Sequence, residues 1–234
     1  MELTKIKPKF KKKHNPRIGL IALASDFTIE KDFNLVLNGK GIDLYCNRIK
    51  SYNPLTNKSL KRMANDITKV TKNILPDQKL DCVAYGCTSG TIAAGYKLIS
   101  KKINIAKPNT KVTTPITSAL NAFKTLEIKK LSIFTPYTNE INKSLINFLK
   151  KKKIDILNLS YLNIPSDLDI GKVDPEYLLN VIVKSQTNKS DGLFISCTAL
   201  PVLKIINKLE KKLNKPVLTS NQLLIWDTLK YLNY

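Results

Sequence analysis

Two short stretches of this chain carry residue types that could do chemistry. Tyr85-Gly86-Cys87-Thr88-Ser89-Gly90 and Ser196-Cys197-Thr198 each set a thiol beside hydroxyl groups at the end of an apolar run. A thiolate is both nucleophile and base, and it is favoured beside free backbone N–H groups and the positive end of a helix. The hydroxyls of Thr88, Ser89 and Thr198 add donors for a carboxylate. Two such turns facing each other across a cleft would put a sulfur on either side of one carbon. That arrangement suits proton transfer on opposite faces, or attack by one thiolate and protonation by the other. The competing reading makes both cysteines small buried hydrophobes, the commonest fate of a free thiol. It is the better one for Cys46 and Cys82, inside apolar runs. For Cys87 and Cys197, strand-end position and duplication favour function.

Other chemistries fail on inventory. The only histidine, His14, sits in a lysine-rich N-terminus, so Cys–His and Ser–His arrangements have no base. No Cys or His spacing resembles a zinc site. Gly86 to Gly90 lacks the Lys of a nucleotide phosphate loop and the glycine pattern of a dinucleotide site. Neither a metal nor a cofactor is expected.

The elements that must position the thiols follow from hydropathy. Strands are expected at Arg17–Ala24, Ile42–Asn47, Cys82–Tyr85, Val112–Thr114, Leu131–Thr135, Ile154–Ser160, Leu193–Ser196 and Val217–Ser220. Helices should start near Thr28, Thr56, Ser89, Ile116, Thr138, Pro175, Ala199 and Gln222; Ile205, Leu209 and Leu213 fall one turn apart, as do Leu145 and Leu149. Strand and helix in alternation argue for parallel sheets covered by helices.

A shift of 110 residues (87 to 197) lays Asp81-Cys82-Val83-Ala84-Tyr85-Gly86-Cys87-Thr88 on Asp191-Gly192-Leu193-Phe194-Ile195-Ser196-Cys197-Thr198. In the same register Thr28 meets Thr138, Glu30 meets Glu140 and Asn53 meets Asn163, while Leu44 and Cys46 meet Ile154 and Ile156. Agreement at separated places in one register indicates a duplicated unit. The expected fold is α/β: two Rossmann-like (flavodoxin-like) halves with parallel four-stranded sheets, related by a pseudo-two-fold axis with the active site between them. Residues 1–15 form a basic disordered tail, 16–125 with 218–234 the N-terminal half, and 126–217 the C-terminal half.

Composition narrows the function classes. The chain has 234 residues, 43% hydrophobic, enough for a real core. A net charge of +21 raises nucleic acid as a partner, but 36 of the basic residues are Lys and only Arg17, Arg48 and Arg62 are Arg. Base and phosphate readers favour the Arg fork. We read a solvated lysine surface whose positive field can draw in small anions. Only Lys9 to Lys13 and Lys150 to Lys153 are dense basic clusters. No apolar run is long enough to span a bilayer, the N-terminus does not read as a secretory signal, and four scattered cysteines are no disulfide scaffold. A cytoplasmic, reduced protein without nucleic-acid or membrane partners is expected, as a homo-oligomer, dimer or tetramer.

The same residues carry a resemblance. Tyr85 to Gly90, Ser196-Cys197-Thr198 and Thr219-Ser220-Asn221-Gln222 resemble the Asp/Glu racemase superfamily, and Thr135-Pro136-Tyr137 with Glu140 its branch of maleate cis–trans isomerases and arylmalonate decarboxylases. Arg17-Ile18-Gly19-Leu20-Ile21, Ala24-Ser25-Asp26, Asn47-Arg48 and Asn53-Pro54 look most like the ectoine-utilisation A proteins of that branch. The resemblance runs from about Arg17 to the C-terminus and implies no cofactor, a site between two halves, Cys87 and Cys197 as catalytic residues and Tyr137 as a substrate contact. Asn221 is a site residue or a helix cap on this reading. Decarboxylases of the branch characteristically keep only the later cysteine, so two cysteines favour isomerisation or racemisation.

One departure bears on substrate. Maleate isomerases carry a Ser-Ser-Asn-Thr-like stretch after strand one, whose Asn contacts a carboxylate; here Ala24-Ser25-Asp26-Phe27-Thr28 stands in its place. An aspartate facing the cleft would repel a second carboxylate and pair with an amino or amidinium group; otherwise Asp26 only caps the next helix. The expected function is therefore a cofactor-independent two-cysteine isomerase or racemase of a small carboxylate, of amino-acid or ectoine type. Maleate cis–trans isomerisation is the alternative, and a non-catalytic small-anion binder the alternative of another class.

Overall fold

The structure, a computed structural model, describes residues 1–234 except Glu2, Lys12 and Gln186. Among the described residues, eight strands form two four-stranded parallel sheets. The first holds β1 (Arg17–Leu23), β2 (Asp43–Ile49), β3 (Cys82–Gly86) and β4 (Lys111–Thr113) in the order β2-β1-β3-β4. The second holds β5 (Lys130–Thr135), β6 (Asp155–Tyr161), β7 (Gly192–Ile195) and β8 (Val217–Thr219) in the order β6-β5-β7-β8. Both repeat the flavodoxin-like order, as a duplicated unit requires. β1, β3, β5 and β7 are buried almost throughout, whereas the edge strands β2 and β6 are mostly half-exposed. Central parallel strands are covered by helices on both faces, which is why they read as unbroken apolar runs.

The repeat has a structural counterpart outside the thiol turns. Asp81 accepts the backbone N–H of Arg17 at 2.7 Å, and Asp191 accepts those of Lys129 and Lys130 at 2.9 and 2.8 Å. Each aspartate thus ties the start of its third strand to the start of its first. Thr28 and Thr138 each occupy the N-cap position of the first helix of their half.

Two expectations need adjusting. The helix placed near Ala199 begins as a 3-10 turn at Leu203–Ile205 and becomes α-helical at Ile206–Leu213. Pro201 cannot donate into a helical ladder, and the polypeptide before it is used to line the site instead. The chain stays in the second sheet through Thr219 and returns to the first half with the helix Ser220–Lys230, which packs on Pro115–Thr125. The tail expected to be disordered includes Glu2 and Lys12, which lie outside the described residues; the others of residues 1–15 are exposed and carry no helix or strand. No helix among the described residues is long and apolar enough to cross a membrane.

Candidate active site

In an open parallel sheet the crevice for a ligand opens where neighbouring strands connect in opposite directions, at their carboxyl ends. For these sheets that point lies between β1 and β3, and between β5 and β7. Ser25 and Asp26 follow β1, Cys87 and Thr88 follow β3, Tyr137 follows β5, and Cys197 and Thr198 follow β7. The tertiary structure brings these four ends together.

Ser220 joins the two thiol turns. Its Oγ accepts the backbone N–H of Cys197 at 3.1 Å and bonds the Thr88 hydroxyl at 2.9 Å. Thr198 donates across the halves to Gly86 O at 3.2 Å. Asn221 Nδ2 donates to Thr198 O and to Asp32, each at 2.8 Å. Thr219, not Asn221, caps the last helix, and Asn221 instead ties Thr198 to Asp32. Tyr137 is buried, bonds Ser196 Oγ at 3.4 Å, and lies close enough to Cys87 and Cys197 for either charge to raise its pKa. Ser220 was not singled out from the sequence; its place beside Asn221 was the available signal.

Cys87 Sγ accepts the Gly90 N–H at 3.2 Å, with the Ser89 hydroxyl at 3.8 Å. Those contacts favour the thiolate, yet the Cys87 pKa is pushed up to about 12. Burial is the main cause, and the carboxylates of Asp167 and Asp26 add to it. Cys197 is raised as well, chiefly by burial and then by Asp167. The expected lowering by helix and N–H groups is therefore overturned in this conformation, because desolvation of a sulfur anion outweighs one or two hydrogen bonds. For Cys197 there is in addition no helix directly after the thiol. The charge of Cys87 adds to the rise at Cys197, and Ser220 bridges the two turns.

Asp26 acts as a helix cap through one oxygen only. Oδ1 accepts the N–H groups of Thr28 and Ile29 at 2.8 and 3.0 Å, capping the first helix. Oδ2 is buried without a partner, near the Thr198 side chain. Sequence reasoning missed Asp167, which enters from the other half on the four-residue helix Asp167–Ile170 and accepts Ser25 Oγ at 2.7 Å. So short a helix has no periodicity to recognise.

The halves are closed over the site. Thr28 Oγ1 donates to Ala199 O at 2.8 Å, Leu55 N to Pro165 O at 3.1 Å, and the Phe27 ring covers Gly171 so closely that a Cβ there would lie 2.6 Å from it. Cys87 and Cys197 are left 3% and 5% exposed. A surface cavity of about 1010 Å³ opens along this seam, lined by Phe27, Thr28, Asp32 and Gly171 among others, with neither thiol in its wall. Entry of a substrate requires this seam to part.

Burial of the acids makes a prediction. Asp32 and Asp167 are each pushed up to about 6 from 3.8, chiefly by desolvation. A carboxyl whose folded pKa exceeds its unfolded one binds its proton more tightly in the folded state, so stability is lost as pH rises through about 6. A shift of this size is worth at most about 3 kcal/mol, less for the half-buried Asp32. Urea unfolding should show more stability near pH 5 than near pH 7.5, by about 2 kcal/mol. Asp167→Asn should remove a large part of the difference; an unchanged pH slope in that variant would sink the assignment.

Residues 54–234 match the arylmalonate decarboxylase family. A maleate isomerase of Geobacillus stearothermophilus is 24% identical over 232 residues, covering 93% of this chain and 92% of that protein. Among solved structures, the maleate isomerase Iso of Pseudomonas putida S16 superposes with a TM-score of 0.86 at 21% identity, covering 93% of both chains. A Nocardia farcinica maleate cis–trans isomerase, a cysteine-to-serine variant with a covalently bound succinylcysteine intermediate, gives 0.85 at 16% identity and covers 93% of both chains. These likenesses support the branch suggested by the thiol turns and lend no support to the ectoine-utilisation assignment. With the match spanning both thiol turns and the Ser-Asn-Gln end, this chain belongs to the arylmalonate decarboxylase family.

Proposed function

We propose that this protein is a cofactor-independent isomerase or racemase of a small carboxylate, with Cys87 and Cys197 acting on one substrate from two sides. What supports this reading is the convergence of two duplicated strand ends, bridged by Ser220, on a pair of thiols within electrostatic reach. Burial is the main cause of the raised thiol pKa values, so parting the seam and admitting water brings one thiol down to where it can lose its proton. In a racemisation that thiolate takes a proton from carbon, breaking C–H and forming S–H, and the opposite thiol gives its proton to the other face. Donors around the thiol turns hold the carboxylate and stabilise the charge that develops on it. Thr198, whose proton is directed at Gly86 O, turns away from that bond to join them.

The relatives favour a second reading, maleate as substrate. One thiolate would attack an alkene carbon, forming C–S, while the opposite thiol protonates the neighbouring carbon. Rotation about the new single bond and elimination in the reverse sense would give the trans isomer.

Incubation with amino acids, ectoines and maleate in heavy water, followed by proton NMR, tests the proposal. The expected result is deuterium entry beside the carboxylate, or isomerisation, dependent on both thiols. A protein that binds such carboxylates by calorimetry but neither exchanges nor isomerises any is an anion binder, and the proposal fails.

A further inference from the structure

The unsatisfied groups of the site are all of one kind. Among the described residues, three buried side-chain atoms lack a hydrogen-bond partner, and two of them, Asp26 Oδ2 and Asn221 Oδ1, are at this site. Both are acceptors. The Asn221 amide cannot be turned round, because its Nδ2 already faces two acceptors, Asp32 Oδ2 and Thr198 O. Thr198 brings the two orphans to one place: its carbonyl holds Asn221, and its side chain lies beside Asp26. A buried acceptor without a donor costs about 1–3 kcal/mol, more when charged, so these atoms call for a ligand that donates.

Charge points the same way. Asp26 and Asp167 approach from opposite halves, close enough to raise each thiol's pKa, and Asp167 also feels Asp26. None of the ion pairs among the described residues neutralises either one. The charge of Arg48 acts on Asp26, but its hydrogen bonds go to Glu30 and to the carbonyls of Leu23 and Asp26, not to the Asp26 carboxylate. The acids have no metal-holding arrangement either, since no group of three possible ligands is present among the described residues. In a protein of net charge +21, this is a local acidic pocket around the reacting atoms.

We propose that the substrate carries, besides its carboxylate, a protonated nitrogen that seats between Asp26 and Asp167 and donates to Asp26 Oδ2 and Asn221 Oδ1. The inference rests on the two-thiol reading for the location of the site and adds the substrate class. A cation there satisfies both orphan acceptors and cancels the carboxylate charge that opposes thiolate formation. A second substrate carboxylate in the same place would leave the acceptors unpaired and add like charge.

Calorimetric binding of unreactive pairs of equal chain length tests this: glycine, β-alanine and 4-aminobutanoate against oxalate, malonate and succinate. The wild type should bind at least one amine about tenfold or more tighter than its dicarboxylate partner. The double variant Asp26→Asn/Asp167→Asn keeps the helix cap and the Ser25 contact while removing the charge, and it should invert that order. Single variants should fall between. Dicarboxylates binding as tightly as the amines in the wild type, an order unchanged in the double variant, or no binding of any amine each overturns the proposal. The thiols take no part in this measurement, so a failure here leaves the two-thiol reading to be judged by deuterium exchange alone.

Discussion

Cys87→Ser and Cys197→Ser should each abolish turnover, with a loss of about 10⁴-fold or more in kcat for whichever carboxylate the protein exchanges. A serine hydroxyl is many pKa units weaker as an acid than a thiol and needs a general base to react. Among the described residues the titratable groups left in the site are carboxyls, Tyr137 and the other thiol, none of them hydrogen-bonded to the sulfur that serine replaces, and His14 lies in the exposed N-terminal segment. Each variant should still fold, because Gly90 N–H, the partner of the Cys87 thiol, and Ser220, the partner of the Cys197 backbone N–H, both remain. Cys82 and Cys46 serve as controls. Cys82 is fully buried within β3 at 3.8 Å from the Thr113 hydroxyl, and Cys46 lies half-buried on the edge strand β2. Serine at either should lower stability by about 1–3 kcal/mol and leave kcat of the folded enzyme unchanged. The measurement is steady-state kinetics with urea unfolding on the four variants. Substantial activity in Cys87→Ser would remove the two-sided mechanism and leave chemistry that uses the later cysteine alone.

Gly90→Ala should cost about 100-fold in kcat at little cost in stability. A Cβ at Gly90 would lie 2.8 Å from Cys87 Sγ, 3.1 Å from Tyr85 Oη and 3.2 Å from Met63 Cε. Tyr85 and Met63 are buried on the far side of that space and have little room to yield, so the sulfur is displaced, and the 3.2 Å bond from Gly90 N with it. Gly90 lies inside the helix Thr88–Ala94, where alanine is ordinarily worth about 1 kcal/mol over glycine. The helix gain offsets much of the crowding, so unfolding should change little while turnover falls. Kinetics with a thermal unfolding curve checks this, and wild-type kcat in the alanine variant would show that Cys87 has room to spare.

Features that depend on neighbours along the chain are legible in the amino-acid order. All eight strands lie where apolar runs bounded by turn residues put them. The duplication was readable because each half needs the same aspartate at the start of its third strand and the same Cys-Thr turn at its end. Strand-end position was legible too: Cys87 and Cys197 follow β3 and β7, whereas Cys46 and Cys82 lie within β2 and β3. Properties set by groups distant in sequence emerge only when the two halves pack. Asp167 reaches Ser25 across 142 positions, and Asn221 reaches Asp32 across 189; no local pattern encodes either. The direction of the thiol pKa shifts depends on desolvation when two halves close, a sum over many distant atoms, so local N–H donors pointed the wrong way. The helix start after Cys197 moved for a related reason: the backbone of Thr198 and Ala199 is held by Asn221 and Thr28 from the other half, and those bonds hold it outside the helix that the local apolar spacing suggested.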